Sequence, residues 1–177
     1  MHRRIFLAAL AAGAVPKCSA APPSKIIDTH THFYDPARPQ GVPWPPKTDD
    51  ILYRTVLPDE YRGMSNPLGV TGTIVVEASP LLEDNQWILD LAAKHPVNVG
   101  FVGHLDPGKT AFRGNLDRLR KNRLFLGIRL SSSSLKDPNA EFISNVKAMA
   151  DAGLELDAIG GTPVLEQTVR LSDRIPN

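Results

Sequence analysis

Five short runs of apolar, largely β-branched residues punctuate this chain, at Lys25 to His32, Gly72 to Ser79, Val97 to Asp106, Leu124 to Ser131 and Gly153 to Ile159. Each is nearly continuous in apolar side chains, which is the pattern of strands covered on both faces, as in a parallel sheet. Helical stripes lie between them. Trp87, Ile88, Leu91 and Ala92 form one stripe that ends at His95, because Pro96 cannot continue a helix. Phe112, Leu116 and Leu119 form the next. In a third, Asp137 is placed to cap, Pro138 suits the first turn, Phe142, Val146 and Met149 line one face, and Gly153 follows the end. Thr162-Pro163 opens a fourth in the same way. Strands alternating with helices in this order predict an α/β fold built on a parallel sheet.

The first connection, Pro36 to Pro58, is long and rich in proline. Loops of that length in a compact α/β domain commonly form a rim or lid over a site. Pro43-Trp44-Pro45-Pro46 stiffens it, and Trp44 reads either as a residue that closes over a ligand or as the packed point of an exposed arm. A chain of 177 residues, 42% hydrophobic and 22% charged, can bury a core without disulfide staples. The formal charge of +1, with Lys and Arg scattered among Asp and Glu, leaves no basic stripe for nucleic acid.

The first apolar run ends in chemistry. Successive strand side chains alternate faces, so His30 and His32 project the same way, where two imidazoles can grip one cation or one substrate oxygen. By the same alternation Asp28 is expected on their face, to orient them. Two ordinary histidines on a half-buried strand is the plainer account, but three polar groups on one face make poor core material.

Residues 1–21 are set apart as an export signal. His2-Arg3-Arg4, the apolar run Ile5 to Val15 and Cys18-Ser19-Ala20-Ala21 have the basic, apolar and small-residue order of such a segment, and the run is too short for a membrane anchor. Arg3-Arg4-Ile5-Phe6-Leu7 resembles a twin-arginine signal; a Sec signal with a chance arginine pair is the alternative. Cleavage near Ala20 would remove the single cysteine and send a slightly acidic, disulfide-free domain, residues 22–177, to the periplasm or beyond.

Ile27-Asp28-Thr29-His30-Thr31-His32-Phe33, Gly72-Thr73-Ile74-Val75-Val76-Glu77-Ala78-Ser79, Asp84-Asn85-Gln86-Trp87, Val99-Gly100-Phe101-Val102-Gly103 and Leu126-Gly127-Ile128-Arg129 together resemble the amidohydrolase superfamily. More narrowly they are similar to its lactonase branch of L-fuconolactonases, sulfomuconolactone hydrolases and pyrone-dicarboxylate lactonases. The resemblance implies a (β/α)8 TIM barrel with its site on the C-terminal strand ends. It implies that His30 and His32 are catalytic, holding a divalent cation such as Zn²⁺ or touching substrate directly. It implies that Arg129 holds a substrate carboxylate, for which a salt bridge to a neighbouring strand is the alternative. Ser79 and Trp44 would contact substrate, and Glu77 would orient a histidine or Arg129. His104 and Asp106 read as rim residues or, more simply, as a loop with Asp106 capping the turn before Pro107.

In the superfamily a further histidine comes from a strand beyond the fifth, and the aspartate that activates water ends the eighth. Neither strand is within these 177 residues, so the resemblance implies an incomplete barrel of about five βα units, with sheet edges open to self-association. The expected reaction is hydrolysis of a lactone or related cyclic ester of an acidic or sugar-derived small molecule, impaired if the chain ends there. The alternatives are a metal-dependent decarboxylase of the same superfamily and a non-catalytic exported fragment that binds ligand or metal.

Overall fold

A computed structural model describes residues 25–175. The export signal therefore falls outside the described residues. Five parallel strands, β1 (Ile26–Thr31), β2 (Val70–Val76), β3 (Asn98–Gly103), β4 (Phe125–Ser131) and β5 (Glu155–Ile159), lie side by side in chain order. Helices α1 (Pro58–Ser65), α2 (Leu82–Lys94), α3 (Phe112–Leu119), α4 (Ser132–Leu135), α5 (Ala140–Asp151) and α6 (Pro163–Ser172) fill the connections. The sheet curls into a half-barrel, because strands in unbroken sequential order with a helical crossover after each place their helices on one side.

The core lies between sheet and helices. Val75, Phe101, Phe125 and Ile128 from the strands meet Ile88 and Leu89 of α2, Phe112, Leu116 and Leu119 of α3, and Phe142, Val146 and Met149 of α5. Each fully buried aliphatic or aromatic side chain contributes about 1.5–3 kcal/mol toward holding the helices on the sheet, against the entropy of ordering them. The α5 stripe falls where its spacing predicts, and Gly153 past its end takes the left-handed φ of 69°. Its cap differs from expectation. Asn139, not Asp137, occupies the N-cap, accepting from the Phe142 N–H at 2.8 Å, because the helix begins one turn-step after Pro138.

The ladder between β1 and β2 slips where the histidines begin. Asp28 pairs with Thr73 and Thr31 with Val75, three steps on one strand against two on the other. That extra residue is a bulge, and it breaks the alternation on which the placement of Asp28 rested. Asp28 instead receives the Tyr61 hydroxyl of α1 at 3.0 Å, and the backbone N–H of His30 at 3.1 Å. It fixes the strand under the histidines without touching their rings. A similar slip between β3 and β4, Phe101 to Phe125 and then Val102 to Gly127, lets Phe125 face the helices while Arg129 faces the hollow of the sheet.

Among the described residues β1 and β5 each have one unpaired edge. Beside β5, Ile159, Leu165 and Val169 are 47%, 68% and 59% exposed. No helix among the described residues is long and apolar enough to cross a membrane.

Candidate active site

The C-terminal strand ends bring His30, His32, Glu77 and Arg129 together from three strands. Arg129 on β4 is 9% exposed, and its Nε donates to Glu77 Oε1 at 3.0 Å while its Nη2 donates to the Glu77 carbonyl. Its Nη1 points at His30 Nε2, 3.4 Å away. Arg129 thus makes the salt bridge to the end of β2 that its position allowed. This does not exhaust it. A guanidinium carries five N–H groups; with three of them directed at Glu77 and His30, one on Nη1 and one on Nη2 remain for a ligand. Of the two partners expected for Glu77, its carboxylate meets Arg129.

His32 is half-buried, and its Nδ1 lies 2.9 Å from the Val76 carbonyl. A carbonyl only accepts, so Nδ1 carries the proton and Nε2 presents a lone pair. Burial pushes the His32 pKa below the ordinary imidazole value, and the positive charge of Arg129 and the neighbouring His30 push it further the same way, against the raising effect of the Val76 bond. His30 is exposed and sits edge-on to His32 with ring centres 5.0 Å apart. Because arginine can only donate, His30 Nε2 is the acceptor of that contact and Nδ1–H is the free donor. The pair is therefore one donor and one acceptor.

Trp44 closes one side, edge-on to His32 at 5.4 Å and to Tyr34 at 5.5 Å. Ser79 lies beside it but is 6% exposed, and its Oγ accepts the Leu81 N–H at 3.1 Å, so this hydroxyl chiefly shapes the entry to α2. His104 is held by its backbone: its N–H donates to Asn85 Oδ1 and its carbonyl accepts from Asn85 Nδ2, both at 2.9 Å. Gly103 before it has no side chain because an added Cβ would stand 2.2 Å from that same Asn85 oxygen. Asp106 caps its own turn, accepting from Gly108 N–H at 2.8 Å.

One residue of the site escaped the sequence reading. Asp157 on β5 is in register with Arg129 on β4, and with Arg129 and His30 it lines the open cleft on the β5 side. The signal was present as an acidic residue, one of two with Glu155 that alternate with apolar side chains in that run.

The described residues supply a metal with only part of a donor set, His30 and His32. Among the described residues no group of three or more His, Cys, Asp or Glu side chains stands ready to hold an ion. Of the two imidazoles, one turns its Nε2 toward a guanidinium, whose charge opposes a cation there.

The amidohydrolase family model matches residues 27–177. The chain belongs to the amidohydrolase family. An L-fucono-1,5-lactonase from Burkholderia ambifaria is 33% identical over 111 residues, which are 63% of this chain and 38% of that protein. An amidohydrolase from Burkholderia multivorans, solved with bound HEPES, superposes with a TM-score of 0.73 at 20% identity, covering 85% of this chain and 54% of that one. The same enzyme in a zinc-bound form has a TM-score of 0.71 at 21% identity and the same coverage. A probable 2-pyrone-4,6-dicarboxylic acid hydrolase from Acinetobacter baumannii, with citric acid bound, has a TM-score of 0.60 at 18% identity over 83% of this chain and 54% of that one. The half-barrel is thus an amidohydrolase-type TIM barrel in part, and the chain spans about half the length of these structures or less.

Proposed function

We propose that this site binds a lactone, or a related cyclic ester, bearing a carboxylate or sugar hydroxyls, and serves its hydrolysis. The observation that carries the reading is the juxtaposition of a pre-set guanidinium, Arg129, with an imidazole pair that offers one donor and one acceptor. The 33% identity to a lactonase supports the substrate class. The free end of Arg129 would hold an anionic or polyhydroxy part of the ligand. His30 Nδ1–H would donate to the ester carbonyl as negative charge develops on its oxygen. His32 Nε2 would accept from a ligand hydroxyl or from the attacking water. Asp157, in register with Arg129 on β5, would add an acceptor to the cleft on that side.

His30 and His32 are the residues here that would hold a divalent cation, which would polarise the ester carbonyl, and this reading routes no step through one. We further propose that residues 1–21 direct the protein out of the cytoplasm, on the charge and hydropathy order of that segment.

The test is a panel of aldono-1,5-lactones and their open acids, measured for binding by calorimetry and for turnover by proton release, with CO₂ release followed in parallel. Lactone binding that falls at least about tenfold in Arg129→Met supports the reading. CO₂ release without lactone hydrolysis would make the protein a decarboxylase. Binding without either reaction would make it a ligand-binding fragment.

A further inference from the structure

The connection from β1 to α1 is fastened at two places. At its base Tyr34 and Val56 exchange backbone hydrogen bonds at 3.1 and 2.9 Å, and the Tyr34 hydroxyl donates to the Leu52 carbonyl at 3.0 Å. The second fastening is made by one side chain. Arg38 crosses to α2, where its Nη2 donates to Asp84 Oδ1 at 2.6 Å and its guanidinium carbon lies 4.1 Å over the Trp87 ring. Both side chains of this ion pair are only 11% exposed. Trp44 hangs between the two fastenings, against His32, and lines the same narrow cleft as Arg38, Asp84 and Trp87.

We propose that Arg38, seated between Asp84 and Trp87, is a positioning residue that locks the 36–57 loop and holds Trp44 as a fixed wall beside His32, so that the loop sets ligand size as a rigid rim. The inference rests on the reading of the His30, His32 and Arg129 region as the ligand site. The chemistry suits arginine and not lysine. A planar guanidinium stacks on indole while its edge meets a carboxylate, whereas an ammonium can satisfy only one of these at a time. Neither Asp84 nor Arg38 is explained by the fold alone, since a pair this dry costs desolvation that an apolar contact would not. Asn85, the next residue on α2, holds the β3 end in the same manner through His104, so consecutive side chains of one helix fix the rims on either side of the β2 end.

The experiment needs no ligand. In a Trp87→Phe background, which keeps a ring under Arg38, Trp44 is the single tryptophan of the two in the chain and reports its own exposure by acrylamide quenching. Arg38→Lys and Asp84→Asn are compared with that parent, with amide exchange followed by mass spectrometry. The expected result is a quenching constant about twofold or more higher and exchange about tenfold faster across residues 36–57, with β1 to β4 amides unchanged. Unchanged Trp44 quenching and loop exchange in both variants would overturn the proposal and reduce Arg38 to a local surface tie. If the loop loosens as expected while no lactone binds to the parent, the lock stands and it is the substrate reading that fails.

Discussion

Replacing Arg129 by methionine should destabilise the chain by about 2–4 kcal/mol, chiefly through what it leaves behind. The Arg129 and Glu77 side chains are 10% and 16% exposed, so the loss strands a largely buried carboxylate without its Nε partner and the Glu77 carbonyl without Nη2. Breaking a fully buried pair costs about 3–5 kcal/mol, and the residual exposure of Glu77 lets some water in, which lowers the figure. Methionine fills much of the vacated volume, so a cavity adds little. Glu77→Gln in the Arg129→Met background removes the orphaned charge and should recover about 1–2 kcal/mol, whereas Glu77→Gln alone should destabilise by about 1–2 kcal/mol. The assay is urea unfolding followed by far-ultraviolet circular dichroism, read as midpoint shifts at constant slope. A loss under about 0.5 kcal/mol for Arg129→Met, or strict additivity in the cycle, would mean that the pair behaves as an exposed one. The guanidinium would then not be pre-set for a ligand.

His32 should make stability fall as the medium turns mildly acidic. Its folded pKa lies below its unfolded value, so below about pH 6.5 the unfolded chain takes up protons that the folded one resists, and stability declines toward the folded pKa. His32→Gln should flatten that slope in urea midpoints measured between about pH 7.5 and 5. Zinc titrated into the metal-free chain should bind weakly, and Arg129→Met should tighten it by removing a charge from His30; tight binding by the unaltered chain would refute the incomplete donor set. Replacing Arg3 and Arg4 together by Lys should strand the precursor in the cytoplasm, and export unchanged by fractionation would favour Sec. Ile159→Lys, at the β5 edge that is unpaired among the described residues, should lower the concentration-dependent association of the 177-residue chain in sedimentation, and association unchanged by it would refute edge pairing there.

The runs of β-branched residues, the stripes of α2, α3 and α5, and the punctuation by Pro96, Pro163 and Gly153 determined the five strands, four of the helices and their alternation, because each is a local consequence of side-chain period and backbone freedom, whereas α1 and α4 carry no such stripe. The same period of two put His30 and His32 on one side, and the two residues are close enough in the chain for that to hold. Asp28 is only two residues further back, yet a bulge between Asp28 and Thr31 lay in the pairing with β2, which no local pattern encodes. Tertiary structure alone decided that Arg129 spends one edge on Glu77, 52 residues away, that Asp157 stands in register beside it, and that Arg38 reaches Asp84 across 46 residues to fix Trp44. These are contacts between charged groups whose partners are set by strand register and sheet curvature, quantities that depend on how whole elements pack and that single side chains do not announce.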